Sequence, residues 1–130
     1  MTTLRTGIDL VNSARVASLI DNLGDSFVRH TWTSEEIAEC GSDVDRLAAR
    51  WAAKEAAIKA LNVGLDEISP TDIWVRTKSN GAPELCFAGS AAAQAHRLGL
   101  TEWSLSLTHE RGLCAAVVVA LADEAIANRR

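Results

Sequence analysis

The stretch "RWAAKEAAIKAL" at 50–61 places four charged side chains, Arg50, Lys54, Glu55 and Lys59, in an otherwise apolar run. On an ideal helix at about 100° per residue, Leu47, Trp51, Ile58 and Leu61 cluster on one face, Lys54 falls inside that apolar arc, and Glu55 and Lys59 share one flank of it. Two readings are open. In the first, Glu55 and Lys59 are a surface i,i+4 pair worth about 0.2–0.5 kcal/mol, and Lys54 carries its ammonium to solvent past a buried stem. In the second, other polar groups converge on that flank and make a site.

Two further places could supply such groups. Asp9 lies at or near the end of a predicted strand, two residues after Gly7, whose missing side chain leaves room beside the carboxylate; a turn or helix-start aspartate is the plain alternative. In "SLTHE" at 106–110 a strand face of small hydroxyls ends in His109 at a tight turn, where a histidine can equally be just exposed. Two separated carboxylates are too few to hold Mg²⁺ alone. The ion typically takes one or two carboxylates and completes its octahedron with waters and substrate phosphates. Lys59, Arg50 and His109 could then supply counter-charge, and phosphoryl transfer is catalysed mainly by positioning and charge neutralisation. With no Walker sequence or GxGxxG present, the standard nucleotide loops are disfavoured. The spacing itself leads to Mg²⁺ and a phosphate ester and stops there.

The elements that must position these residues follow from periodicity and punctuation. "TLRTGIDLV" alternates as a strand, with Leu4, Ile8 and Leu10 on one face and Arg5, Gly7 and Asp9 on the other. "SARVASLIDNLG" reads as a short helix ending on Gly24. "TSEE" at 33–36 is a capping box, Thr33 as N-cap and Glu36 at N3, and opens a second short helix. The longest helix is expected from about Asp45 to Leu61, stopping near Gly64. "DIWVRTKSNGAPELCF" reads as a hairpin around Asn80-Gly81. "GSAAAQAHRLG" is a helix closed by Gly99. "EWSLSLTHERGLCAAVVVALA" is a second hairpin, pointing Trp103, Leu105 and Leu107 one way and Ser104, Ser106 and Thr108 the other. Hairpins predominate, so the expected class is α+β: a mainly antiparallel sheet of about five strands packed on a long helix and several short ones.

At 130 residues and 48% hydrophobic content, the chain is expected to form one domain, 1–130, with a real core. A formal net charge of −4 argues against nucleic acid as the main partner and requires any basic site to be local. Cys40, Cys86 and Cys114 are odd in number and widely spaced, as suits reduced thiols better than a disulfide frame or a zinc site. The start, "MTTLRTGIDLVNSAR", has no signal-peptide core, and "LCAAVVVALA" at 113–122 is too short to span a bilayer as a helix. A cytoplasmic protein without membrane association is expected.

"GID" at 7–9, "RWAAKEAAIKAL" at 50–61 and "SLTHE" at 106–110, in this order and at these separations, resemble the holo-[acyl-carrier-protein] synthase family, the short class of 4′-phosphopantetheinyl transferases. The middle motif resembles the family's (W/F)xxKExxxK signature at Trp51, Lys54, Glu55 and Lys59. "FVRHTWTSEE" and "NGAPEL" resemble its intervening segments, so the likeness spans nearly the whole chain. The resemblance implies an Mg²⁺-dependent enzyme that moves 4′-phosphopantetheine from coenzyme A to a serine of an apo acyl carrier protein, releasing adenosine 3′,5′-bisphosphate. It implies Asp9 and Glu55 as metal ligands and Lys59 beside the phosphates; Glu55, directly or through a metal-bound water, is the candidate base. Arg50 and His109 would contact the nucleotide end of CoA. Lys54 would support the site and, with Gly64 and Pro83, belong to the CoA-binding positions. A homotrimer with CoA bound between neighbouring subunits is implied too, in which His109 can serve an adjacent chain. For an acidic carrier protein the docking candidates are Arg15, which matches the family's arginine after the first motif, with Arg29 or His30.

The chain departs from the pattern at three positions. Many members have glycine at Thr6 and an acidic residue at Asn12, which puts orientation of the site or carrier contact in question at Asn12. Trp51 stands where phenylalanine is frequent. A non-catalytic CoA-binding or protein-interaction module on the same fold is the alternative reading.

Overall fold

The computed structural model describes residues 2–64 and 66–123. Strand β1 (Thr2–Asn12) leads into helix α1 (Ser13–Thr31), then α2 (Ser34–Cys40) and the long α3 (Val44–Ala60). A single 3₁₀ turn at Pro70–Asp72 precedes β2 (Ile73–Thr77) and β3 (Pro83–Phe87), followed by α4 (Gly89–Arg97), β4 (Leu100–Glu110) and β5 (Leu113–Asp123). The class is α+β and every strand pairing is antiparallel. The five strands form two sheets, a three-stranded one in the order β1-β5-β4 and the β2-β3 hairpin. Phe87 of β3 and Trp103 of β4, with ring centroids 4.4 Å apart, join the two.

The local signals act where the sequence puts them. The capping box is complete: Glu36 N–H donates to Thr33 Oγ1 at 3.2 Å and Thr33 N–H to Glu36 Oε1 at 3.1 Å. Asp43 caps α3 by accepting from the Arg46 N–H. Arg111 and Gly112, at φ +50° and +80°, turn the β4-β5 hairpin. Gly24 does break the first helix, at φ 72° and ψ −157°, yet helical turns resume beyond it to Thr31. The chain continues there because Phe27 and Val28 belong to the apolar cluster around Val16, Trp32, Leu47 and Cys114, which a helix ending at Gly24 would leave unfilled.

The main core lies between α3 and one face of the three-stranded sheet. Ala52, Ala53, Ala56, Ala57 and Ala60 of α3 are all buried, as are Ala116, Val118 and Ala120 of β5. Small side chains let the backbones approach closely, and Gly7 marks the closest point. A Cβ there would lie 1.7 Å from the Ala56 carbonyl oxygen. The space that Gly7 leaves is therefore taken by the helix backbone, which corrects the expectation that it makes room beside Asp9. The same contact decides which face of β1 is inside. Leu4, Ile8 and Leu10 point outward and are 64–66% exposed, because only the strand face that carries Gly7 can meet α3.

Candidate active site

The first cavity forms where β1 passes into α1. Asn12 is the N-cap, its Oδ1 accepting from the Ala14 N–H at 2.9 Å. The N–H and hydroxyl of Ser13 both donate to Gly112 O, at 2.8 and 3.1 Å, and tie this corner to the β4-β5 turn. Asparagine caps a helix about as well as aspartate, so the departure at Asn12 keeps the corner's geometry while removing one charge. Asp9, Asn12 and Arg15 thereby face Trp51 and Glu55 of α3 across a cavity of about 470 Å³.

Within it, Glu55 Oε1 accepts from the Trp51 indole N–H at 2.7 Å. Lys59, one turn further on, reaches across to β1: its Nζ donates to Ile8 O at 2.8 Å and lies 3.5 Å from Asp9 Oδ1. The charges on this flank are thus directed at the strand and the cavity, and the i,i+4 Glu55–Lys59 surface pair gives way to the second reading of the helix. Among the described residues, no three His, Cys, Asp or Glu side chains converge as a metal cluster. Asp9 and Glu55 on one cavity are the donor set that fits Mg²⁺ when substrate phosphates and water supply the rest of the shell.

Lys54 requires a correction. It is 1% exposed, and its ammonium donates to Glu36 Oε1 at 2.6 Å, to Pro70 O at 3.1 Å and to Ile73 O. Glu36, fully buried, also accepts from the Val75 N–H through Oε2 at 3.1 Å. Burial pulls the Lys54 pKa down, against the attraction of Glu36, which raises it. An ammonium has three protons to donate, and all three serve the fold. Lys54 neither reaches solvent nor offers a donor to CoA; it fastens α3 to α2 and to the start of β2.

A second cavity, of about 410 Å³, lies on the other side of α3 and gathers Arg46, Arg50, Thr77, Pro83 and Ser106. Arg50 is 5% exposed, with a buried Nε that has no partner among the described residues. Its Nη2 lies 3.2 Å from Glu39 Oε1, that of Arg46 lies 3.5 Å from the same oxygen, and the Thr77 hydroxyl donates to it at 2.6 Å. The Thr77 hydroxyl and then Arg50 hold the Glu39 carboxyl below its usual range, against the opposing pull of burial. Two guanidinium groups are therefore preset on one carboxylate at the edge of a cavity that an anion could enter.

The structure brings Asp9, Glu55, Lys59 and Arg15 together, and Arg50 with Pro83. It leaves four candidates apart. His109 is exposed near the end of β4, opposite Cys114, and lines neither cavity of its own chain. Gly64 follows α3 and accepts from the Glu67 N–H. Arg29 and His30 lie beyond the Gly24 kink, in the last turn of α1. Three contributors escaped the sequence reading: Arg46, Glu36 as the partner of Lys54, and Trp51 as a donor. Arg46 and Trp51 carried a signal in their i,i+4 spacing to Arg50 and Glu55; Glu36, 18 positions from Lys54, carried none beyond its cap.

A family model described as the 4′-phosphopantetheinyl transferase superfamily matches residues 5–118. The holo-[acyl-carrier-protein] synthase of Herpetosiphon aurantiacus is 39% identical over 125 residues, covering 91% of this chain and 98% of that protein. Its namesake from Nitratidesulfovibrio vulgaris is 42% identical over 116 residues, covering 87% and 94%. The crystal structure of Helicobacter pylori holo-[acyl-carrier-protein] synthase in complex with coenzyme A matches at a TM-score of 0.80 and 29% identity, over 88% of this chain and 98% of that one. With nearly its whole length matched at this level, the chain belongs to the holo-[acyl-carrier-protein] synthase family of the 4′-phosphopantetheinyl transferase superfamily.

Proposed function

We propose that this chain transfers 4′-phosphopantetheine from coenzyme A to a serine hydroxyl of an apo acyl carrier protein and releases adenosine 3′,5′-bisphosphate. The observation that carries this reading is the convergence of Asp9, Glu55 and Arg15 on one cavity, with Lys59 beside Asp9. The names of the curated relatives and the CoA held by the Helicobacter protein support it.

Asp9 and Glu55 would hold Mg²⁺, which when bound neutralises the CoA diphosphate and orients it. Lys59, its side chain 54% exposed, can move its ammonium from Asp9 to a phosphate oxygen. The serine oxygen forms a bond to the phosphorus next to the pantetheine arm while the bond from that phosphorus to the departing nucleotide breaks. Glu55 would be the base that takes the serine proton. Arg46 and Arg50 fit the phosphorylated nucleotide end, with Pro83 on the wall of the same cavity. Arg15, exposed on α1 beside the first cavity, fits an acidic carrier; Arg29 and His30, exposed in the last turn of α1 beyond the Gly24 kink, are the further docking candidates.

Self-association belongs to the same reading. Leu4, Ile8, Leu10, Leu113, Val117 and Val119 are exposed large apolar residues of β1 and β5, and a contiguous apolar patch of this kind marks an interaction surface. A homotrimer joined there, with CoA between neighbours, would bring His109 of one chain to the site of the next. The three free cysteines suit a cytoplasmic setting, and among the described residues no helix is long and apolar enough to cross a membrane.

Mass spectrometry of several apo carrier proteins after incubation with CoA and Mg²⁺ tests the reading. Phosphopantetheine added to a carrier serine is the expected result. CoA binding without transfer to any carrier would make the chain a non-catalytic module instead.

A further inference from the structure

Trp51 and Glu55 stand one turn apart on α3, with the indole N–H directed at Glu55 Oε1. That indole is held in place. Its ring centroid lies 5.6 Å from that of Phe27 and 6.0 Å from that of Trp32, the latter meeting it at 88°. Trp32 is 1% exposed and anchored in turn, its own indole N–H donating to Leu47 O at 2.9 Å. Phe27 closes the triangle, 5.6 Å from Trp32 at 86°. Two rings from the C-terminal end of α1 and its cap therefore pack on the Trp51 indole of α3 and fix the direction of its donor. Phenylalanine at this position would occupy much of the same space but carries no N–H.

A carboxylate whose Oε1 accepts from an immobile donor loses freedom about its last torsion, and Oε2 is the oxygen left for a ligand. Trp51 and Glu55 line one cavity with Asp9. We infer that Trp51 is a positioning residue for the transfer reaction: its indole N–H sets Glu55 so that Oε2 faces the divalent cation beside Asp9. This inference rests on the functional reading above. Groups that hold a metal-binding side chain from behind govern affinity for the ion, with losses of about 10–100-fold on removal. A residue that only fills the core would be replaced by phenylalanine without such a loss.

The test is Trp51→Phe, followed by two titrations. Half-saturating Mg²⁺ for transfer, at saturating CoA and carrier protein, should rise about tenfold while kcat at saturating Mg²⁺ changes less than about threefold. Mn²⁺ binding to the CoA-loaded protein, read by electron paramagnetic resonance, should weaken by the same factor. Mn²⁺ affinity equal to the parent's overturns the inference. If the variant does not fold, nitrogen-15 spectra of the indole groups decide instead. Exchange of the Trp51 N–H with water should accelerate by about tenfold or more in Glu55→Ala, as expected when a charge-assisted hydrogen bond is lost, while that of Trp32 stays as in the parent. Equal Trp51 exchange in both proteins overturns the inference. If the parent transfers nothing yet Trp51→Phe still weakens Mn²⁺ binding, the functional reading falls and the positioning role stands.

Discussion

Asp9 and Glu55 come from different elements and meet only at the cavity, where neither supports the core. Asp9 makes a half-exposed contact with Lys59, of a kind worth about 0–1 kcal/mol. Asp9→Asn and Glu55→Gln should therefore each leave the thermal midpoint close to the parent's while lowering transfer by roughly 10²-fold or more. A carrier-modification assay run beside a thermal melt checks both halves. Near-normal transfer at low Mg²⁺ by either variant would rule these carboxylates out as the proposed metal ligands. Lys54, adjacent in sequence to Glu55, should behave in the opposite way. Lys54→Met leaves Glu36 charged and buried without its partner and should cost about 3–5 kcal/mol in denaturant unfolding. Adding Glu36→Leu removes the orphaned charge and should recover part of that loss. No recovery would mean that the carbonyl contacts to Pro70 and Ile73 carry the stability.

At the scale of elements, the site depends on how closely β1 lies on α3. Gly7 sets that distance, since the atom nearest to any added Cβ is backbone, the Ala56 carbonyl oxygen at 1.7 Å, and cannot swing aside. Gly7→Ala must part strand from helix, at a cost of about 1–3 kcal/mol or more. The same separation carries Asp9 away from Glu55 and Lys59. Chemical unfolding should show the stability loss, and transfer should stay depressed at temperatures where the variant is still folded. A stable, fully active Gly7→Ala protein would show that the strand can shift along the helix and keep the site intact.

For the whole molecule, charge and apolar surface pull on different partners. An acidic carrier approaching a chain of net charge −4 is repelled at long range, so docking should rest on a few local arginines and be screened by salt. Arg15→Glu should raise the apparent KM for carrier protein, leave that for CoA nearly unchanged and flatten the salt dependence of transfer. Equal effects on both substrates would assign Arg15 to the fold or the CoA site. In the proposed assembly the outer face of β1 would carry self-association, and Leu4, 64% exposed and four residues before Ile8, is the apolar position to test there. Leu4→Glu should reduce the mass measured by light scattering to that of a monomer and lower transfer with it, since in the proposed trimer the sites between chains would be lost together with the assembly. A monomeric variant with full activity would locate the complete site within one chain.

The sequence by itself determined what depends on neighbours along the chain. Helix caps, hairpin turns and the two periodicities act over four or fewer residues, which is why the Thr33–Glu36 box, the Asn80-Gly81 turn, the order of elements and the grouping of Glu55 with Lys59 were all legible in it. Alternation in β1 likewise separated Leu4, Ile8 and Leu10 from Gly7 and Asp9. It could not say which set is buried, because a period of two is the same for either face. Only the tertiary structure decided that, through the contact of Gly7 with Ala56, 49 positions away. Lys54 follows the same rule. Its place in the apolar arc was plain, but whether an ammonium there reaches solvent or is enclosed depends on a carboxylate 18 positions earlier and two carbonyls after the helix. Burial and pairing of charge are set by groups that converge from distant segments, and their free energies exist only once the chain has brought those segments together.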